Sequence, residues 1–106
     1  MPRAAVVVLY HHPTDADAFE QYYDETHMPL VGKHAGDLGA THATFTKFTQ
    51  TLDGQSPPFY RKAEMWFESE EALRKALGSE AFQAIAGDLP NFATGGITPM
   101  ISVETH

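Results

Sequence analysis

The chain has 106 residues, of which 42% are hydrophobic and 20% charged, a composition typical of one globular domain rather than a disordered segment. The formal net charge of −7 argues against binding to nucleic acid or to an anionic membrane surface, because both require a basic face. The absence of cysteine excludes disulfides, thiolate chemistry and cysteine-ligated metal centres. A small organic ligand or another protein is therefore the expected partner.

The apolar segments of the chain are short. None approaches the length of roughly 18 residues that is typical of a membrane span. The apolar N-terminal stretch runs into His11-His12-Pro13 without a small-residue cleavage site, so we interpret it as a strand and expect a cytoplasmic protein.

The first strand is predicted over residues 5–10, where the sequence is Ala-Val-Val-Val-Leu-Tyr. A helix is predicted from about Asp15 to Thr26 or His27, with Thr14 as its N-cap and Asp17 three residues later. Pro29 disfavours helical geometry in the residue before it and is expected to end this helix.

One face of the predicted helix carries an apolar stripe that contains a histidine. The residues that recur at spacings of three and four are Phe19, Tyr22, Tyr23, Thr26, His27 and Leu30. His27 is thus expected to lie next to Tyr23 on the face that packs against a sheet.

The rest of the chain predicts three more strands and a second helical region. A turn is expected over residues 36–39, and strands are expected over residues 40–48 and 59–67. Ser69 caps a helix that ends at Gly78, and Ser79 opens a second helical piece that ends at Pro90. The last strand is predicted over residues 97–103, and its proline, Pro99, favours a position at the edge of the sheet.

The predicted order of elements is strand, helix, strand, strand, helix, strand. This order is that of the α+β, ferredoxin-like βαββαβ fold, a four-stranded antiparallel sheet with helices on one face. Apolar residues occur on both faces of the strands, among them Phe45 and Trp66. The uncovered face is therefore expected to pack against the sheet of a second copy.

Several sequence elements resemble those of the EthD-domain family. The N-terminal half carries Leu9-Tyr10, Pro13-x-Asp15, Phe19, Tyr22-Tyr23 and, most specifically, His27-x-Pro29-Leu30; the C-terminal half carries Glu64-Met65-Trp66-Phe67, Ala72-Leu73, Asp88 and Asn91-Phe92. The resemblance covers nearly the whole chain and implies a single EthD-like domain over residues 1–106.

The resemblance also implies a dimeric α/β barrel, with a small-molecule cavity between the sheet and the helices of each protomer. The family takes its name from proteins associated with ethyl tert-butyl ether degradation. Barrels of this wider class include cofactor-free monooxygenases, isomerases and dehydratases, so the fold does not select a reaction. Family members often have a Pro-Gly turn after the His-x-Pro-Leu element, whereas this chain has Lys33-His34-Ala35-Gly36-Asp37.

Three residues are candidates for catalysis. His27 could act as a general acid or base, with Tyr23 orienting it or donating a hydrogen bond; the alternative is a structural histidine at the end of a helix. His42 could face the same cavity, or it could point to solvent or to the dimer partner, depending on strand register. His11 and His12 follow the first strand and are expected in an exposed turn.

The remaining candidates concern ligand binding and local structure. An apolar ligand pocket could be lined by aromatic residues, namely Tyr10, Phe19, Tyr22 and Trp66. Asp88 and Asn91 are expected to hold the loop before the last strand through side-chain to backbone bonds.

No cofactor and no metal is expected. The sequence has six histidines but no compact metal-binding motif such as His-Glu-x-x-His. Haem-degrading relatives of the wider class carry an axial histidine on the second helix, and residues 69–92 contain none.

The sequence hypothesis is therefore an EthD-like homodimer that performs cofactor-free acid–base chemistry on a small, mostly apolar, oxygen-bearing compound. Such an enzyme could be a lyase, an isomerase or a monooxygenase. The alternative is a non-catalytic ligand-binding or accessory protein of a degradation pathway.

Overall fold

The computed structural model describes residues 2–106, and its core is a single four-stranded antiparallel sheet. The strands are β1 (Ala4–Tyr10), β2 (His42–Lys47), β3 (Arg61–Phe67) and β4 (Ile97–Val103), and their order across the sheet is β2-β3-β1-β4. This is the predicted ferredoxin-like arrangement. Pro99 lies in the edge strand β4, as predicted, where a missing N–H costs the sheet nothing.

The helices connect the strands in the predicted order. The first helical region comprises α1 (Ala16–Tyr22), a π-helical segment (Tyr23–His27) and α2 (Met28–Leu38); the second comprises α3 (Glu70–Leu77), α4 (Glu80–Asp88) and a short 3₁₀ helix (Leu89–Asn91). None of the helices within residues 2–106 combines the length and hydropathy that a membrane span requires.

Strand register assigns each strand residue to one of two faces. Val6 pairs with Met65 and Ile101, and these side chains share the face on which the helices lie. The opposite face carries Val7, which pairs with Glu64 and Met100, and the helices leave this face uncovered. We call it the helix-free face.

The first helical region differs from the prediction at both ends. Asp15, rather than Thr14, is the N-cap, and its side chain accepts a hydrogen bond from the Ala18 N–H. Pro29 does not end the helix, which continues as α2 to Leu38. The turn predicted over residues 36–39 is consequently wrong for residues 36–38, and Gly39, with φ of 76°, ends α2 in the left-handed conformation.

The π-helical segment explains why the helix survives the proline. The Met28 N–H donates to the Tyr23 carbonyl five residues back, so this turn is wider than an α-helical turn. Pro29 then falls in the first turn of α2, where a backbone N–H is not needed by the helix. Sequence rules that treat proline as a helix terminator do not allow for a widened turn.

The second helical region follows the prediction closely. Ser69 accepts a hydrogen bond from the Ala72 N–H and Ser79 from the Phe82 N–H, which confirms both as N-caps. The two helices bury Leu73, Ala76 and Ile85 against the sheet.

Candidate functional site

His27 is the last residue of the π-helical segment, and its side chain points into the core. Only 3% of the residue is exposed. Its Nδ1 lies 2.9 Å from Oδ2 of Asp88, a buried carboxylate at the C-terminal end of α4. The bond leaves Nε2 as the ring nitrogen that remains for another partner.

Asp88 accepts hydrogen bonds from three side chains and connects the two helical regions. Its Oδ1 accepts hydrogen bonds from the Tyr22 hydroxyl at 2.6 Å and from the Asn91 side-chain amide at 3.0 Å, and its Oδ2 faces His27. The predicted role of Asp88 and Asn91 is therefore wrong in its detail, because these bonds join side chains rather than holding loop backbone. The carboxylate fixes the end of α4 to the first helical region.

Hydrogen bonding keeps this carboxylate ionised. Burial alone would raise the pKa of Asp88, but the hydrogen bonds from Tyr22, Asn91 and His27 together outweigh it, and the pKa lies below its ordinary value. The same bond to Asp88, followed by burial, raises the pKa of the Tyr22 hydroxyl. An ionised Asp88 favours the His27 tautomer that carries its proton on Nδ1, and neutral His27 then offers a lone pair at Nε2.

The lowered pKa predicts an acid-sensitive contribution to stability. A carboxyl with a depressed pKa in the folded state contributes stability above its unfolded value, about 3.9, and loses it as the pH falls through the folded value. We expect the difference in free energy of unfolding between the wild type and Asp88→Asn to be largest near pH 5 and to shrink towards pH 3. Urea titrations across this range measure it, and a difference that grows on acidification would contradict the assignment.

Tyr23 lies beside His27 but does not bond to it. The ring centroids are 5.8 Å apart, and the Tyr23 hydroxyl is buried without a hydrogen-bond partner among the described residues. Of the two roles considered for Tyr23, the hydrogen bond to His27 does not form, because the partner of His27 is Asp88. Tyr23 instead stacks on Phe19 at 5.6 Å.

Buried aromatic side chains surround His27. We call the group formed by Tyr10, Phe19, Tyr23, Tyr60 and Phe92 the aromatic cluster. The Phe92 ring lies 4.6 Å from the His27 ring, and burial raises the pKa of the Tyr10 hydroxyl. His27 is thus held in apolar surroundings with one polar anchor, Asp88.

An ion pair between Arg61 and Glu20 lies at the side of the aromatic cluster nearest β3. Arg61 donates two hydrogen bonds to Glu20, at 3.0 and 2.7 Å, and its guanidinium lies 4.4 Å from the Tyr23 ring centroid. The bond to Arg61 lowers the pKa of the Glu20 carboxyl below its ordinary value. This geometry links α1 to the sheet and orients Tyr23.

His42 and Trp66 lie on the other side of the sheet. His42 pairs with Trp66 across β2 and β3, and both share the helix-free face. Because His27 lies on the helix side, the proposed cooperation between His42 and His27 within one protomer is wrong, and Trp66 does not join the other aromatic candidates. The reason is the strand register, which composition does not reveal.

An apolar cavity of about 440 Å³, half open to solvent, lies between the sheet and α4. Its lining consists of Val6, Val8, Phe82, Ala86, Leu89, Pro90, Ala93, Gly96, Ile97 and Pro99. None of the predicted site residues lines it. Two of its lining residues, however, also pack against the aromatic cluster: Ala93, which directly follows Phe92, and Leu89, three residues before it.

The other histidines and carboxylates do not assemble into a metal centre within residues 2–106. No three of them approach one another as a ligand group in that part of the chain. His11 bonds to the Thr98 hydroxyl at 2.7 Å, and His12 bonds to the Pro57 carbonyl at 2.7 Å. Both side chains therefore fix loop and strand positions.

Comparison with known proteins identifies the family of this chain. The EthD domain profile matches residues 11–96, which is most of the chain. The chain belongs to the EthD family. The resemblance to this family is thereby confirmed, and the matched region includes the His27-x-Pro29-Leu30 element, the π-helical segment, most of the aromatic cluster and Asp88.

Individual relatives agree with this assignment. An 11.0 kDa protein from the thcB–thcC intergenic region of Rhodococcus erythropolis is 33% identical over 99 residues, which cover 93% of this chain and 92% of the relative. The crystal structure of an ethyl tert-butyl ether D (EthD) family protein from Bacillus halodurans is 30% identical, with a TM-score of 0.83, and the match covers 99% of this chain and all of that one. A dimeric ferredoxin-like protein from Jannaschia sp. shares the fold at 16% identity, with a TM-score of 0.71 and coverage of 94% and 97%.

Two features of this EthD protein were not foreseen from its sequence. The role of Asp88 as the partner of His27 depends on the contact between α4 and the first helical region, 61 residues apart in the chain. The bond between Asp88 and Asn91 was not foreseen either, because both side chains were expected to bond to loop backbone. The π-helical segment had no recognisable signal apart from a proline inside an otherwise continuous helical pattern.

Proposed function

We propose that this EthD protein binds a small, mostly apolar, oxygen-bearing compound and transfers a proton to or from it through His27, without a tightly bound cofactor. The observation that carries the proposal is the buried hydrogen bond between His27 Nδ1 and the Asp88 carboxylate. A histidine held in this way by an ionised carboxylate has a defined tautomer and orientation, which general acid–base catalysis requires.

The surroundings of His27 support this role. Neighbouring aromatic rings exclude water, so a proton transfer at Nε2 would take place in apolar surroundings. Phe92 lies against the His27 ring, while Leu89 and Ala93 line the cavity. The proposal therefore places the reacting part of the compound beside Leu89 and Ala93, the lining residues that pack against the aromatic cluster, and its apolar part among the other cavity walls.

The class of reaction proposed is enolisation or dehydration of an activated carbonyl compound, or its oxygenation with molecular oxygen as the oxidant. Each begins with removal of a proton from carbon or oxygen, a step that neutral His27 performs as a base with Asp88 stabilising the resulting imidazolium. Asp88 acts through His27 and is a positioning residue. Tyr22 and Asn91 hold Asp88 in turn.

The variant His27→Gln tests whether His27 is the residue that transfers the proton. Once a substrate is found by screening carbonyl compounds for turnover by mass spectrometry, we expect this variant to lose about 100-fold or more in kcat, because general acid–base catalysis contributes about 10²–10⁴-fold. His106→Gln, an exposed change at the C-terminus, is the matched control. If His27→Gln stays folded and keeps full activity, His27 is not the proton-transfer group.

A second function is favoured by one observation, the absence of ionisable side chains from the cavity lining. In that case the protein binds its ligand without changing it, as an accessory protein of a degradation pathway. Incubating the protein with a ligand that it binds, then recovering the ligand chemically unchanged after long incubation, would favour this function.

We also propose that the protein is one EthD-like domain over residues 1–106 that forms a cytoplasmic homodimer through the helix-free face. The solved neighbour from Jannaschia sp., with the same fold, is dimeric. The helix-free face exposes Met100 beside Val7, apolar surface of the kind that pairs in dimers. Native mass spectrometry should give a mass of twice 11.7 kDa without extra mass, and a bare monomer would refute the dimer.

A further inference from the structure

We infer that the cavity between β1, β4 and α4 is a binding site for a neutral, hydrocarbon-like group, and that Ala86 and Ala93 set the size of the group it accepts. This inference rests on the ligand-binding half of the proposed function and adds the class of ligand and two specificity-determining positions. It does not depend on the chemistry assigned to His27.

The chemical character of the cavity wall defines the class of ligand. All lining side chains are aliphatic or aromatic, from Val8 and Ile97 on the sheet to Phe82 on α4. Pro90 and Pro99 contribute wall without a backbone N–H, so the backbone there donates no hydrogen bond. A charged group enclosed by these walls would lose its hydration without gaining a partner, so the part of the ligand that the cavity encloses is neutral.

Small residues leave the cavity open. Ala86 on α4 and Ala93 after the 3₁₀ helix each contribute one methyl group to the wall, where larger side chains would occupy the space. The cavity is a half-open cleft with apolar walls, and its volume of about 440 Å³ is in the range of small-molecule sites.

Hydrogen bonds to neighbouring segments hold the cavity wall in place, so the cavity does not close by a local rearrangement. The turn over residues 93–96 bonds back to the chain after β1, through His11 N–H to the Gly96 carbonyl at 3.1 Å and Thr14 N–H to the Thr94 hydroxyl at 3.0 Å. On its other side, Asn91 is held by Asp88. A preformed site binds with less ordering cost than one that must be assembled.

The position of the cavity argues for a small molecule rather than a second copy of the chain. The cavity opens on the helix side of the sheet, whereas the face left for a partner sheet is the helix-free face. The occupant is thus a neutral organic molecule with an apolar body.

The test uses two fluorescent compounds that share one skeleton, the neutral N-phenyl-1-naphthylamine and its sulfonated analogue 8-anilino-1-naphthalenesulfonate. We expect the neutral compound to bind the wild type with micromolar affinity and the sulfonate at least ~30-fold more weakly, because the cavity has no cation for it. Ala86→Phe, which fills the cavity, should weaken binding of the neutral compound at least ~10-fold. Ala35→Phe adds the same ring at an exposed position of α2 and should leave binding unchanged.

Each outcome decides the inference. Equal binding of both compounds, or unchanged binding of the neutral compound to Ala86→Phe, would overturn it, since either result places the compound elsewhere, such as on the exposed edge of β4. If Ala86→Phe does not fold, Ala93→Leu serves as the smaller change with the same expectation. A change of oligomeric state in either variant, measured by light scattering, would overturn the inference in favour of a second copy.

Failure of the proposed chemistry gives a different result. His27→Gln should bind the neutral compound as tightly as the wild type, because His27 does not line the cavity. Normal binding together with retained turnover in His27→Gln would refute the role of His27 and leave the cavity assignment standing.

Discussion

Replacing Asp88 with alanine is expected to lower the free energy of unfolding by about 3–5 kcal/mol, the largest effect of any single substitution outside the apolar core. The change removes a carboxylate that is 9% exposed and leaves three donors without their acceptor, on Tyr22, His27 and Asn91. Breaking a buried charged network in this way costs far more than the hydrogen bonds contribute net, because the groups that remain stay desolvated.

Thermal and urea unfolding measure this effect. For a domain of this size, a loss of about 3 kcal/mol corresponds to a fall in Tm of roughly 15 °C. Asp88→Asn keeps one oxygen for Tyr22 and Asn91 and should cost less than the alanine change. Glu70→Ala is the control, because it removes an exposed ion pair with Arg74 within α3, and it should cost less than about 0.5 kcal/mol. A loss below about 1 kcal/mol for Asp88→Ala would show that the carboxylate does not hold the two helical regions together.

Gly95→Ala is expected to destabilise the protein by about 3 kcal/mol, although the added group is a single methyl. A Cβ at this position would lie 2.1 Å from the carbonyl oxygen of His12 and 2.8 Å from its carbonyl carbon. These are backbone atoms, so no side chain can rotate away, and the two segments must separate. The separation would stretch the hydrogen bond between His11 N–H and the Gly96 carbonyl.

Gly36→Ala provides the matched comparison for this prediction. Gly36 lies in α2, where an added methyl group would have no neighbouring atom within 4 Å outside its own helical backbone, and alanine is preferred over glycine in helices. It should raise the stability by about 0.5–1 kcal/mol. Differential scanning calorimetry of both variants gives the comparison, and equal effects of the two substitutions would show that the close approach at Gly95 does not exist in solution.

The parts of the fold that sequence reasoning predicted well are those governed by local chemistry. Ser69 and Ser79 cap their helices because hydroxyl oxygens accept from exposed N–H groups, and that rule needs only the next few residues. The alternation and β-branching of residues 97–103 likewise define β4. The element order, and with it the ferredoxin-like fold, follows from such local features.

The candidate site was predicted less completely, because it depends on contacts between distant segments. The stripe of Phe19, Tyr23 and His27 correctly indicated a buried histidine. Its partner, Asp88, was visible in the sequence only as a polar residue near a helix end, where an exposed capping role is the ordinary interpretation. The facing of His42 depends on pairing with Trp66, and nothing in either strand alone determines that register.

The widened turn at Tyr23–His27 has a consequence for the helix as a whole. One additional residue in a turn rotates everything after it by about 100° relative to a regular α-helix. Phe19 before the turn and Tyr23 at its start belong to the aromatic cluster, whereas Val31 and Leu38 after it belong to the separate aliphatic core formed with Leu73. The first helical region therefore buries a different face after the turn than before it, and it packs into two separate cores. His27 is the last residue of the turn. The placement of this histidine is set by the number of residues in the turn as much as by their identity.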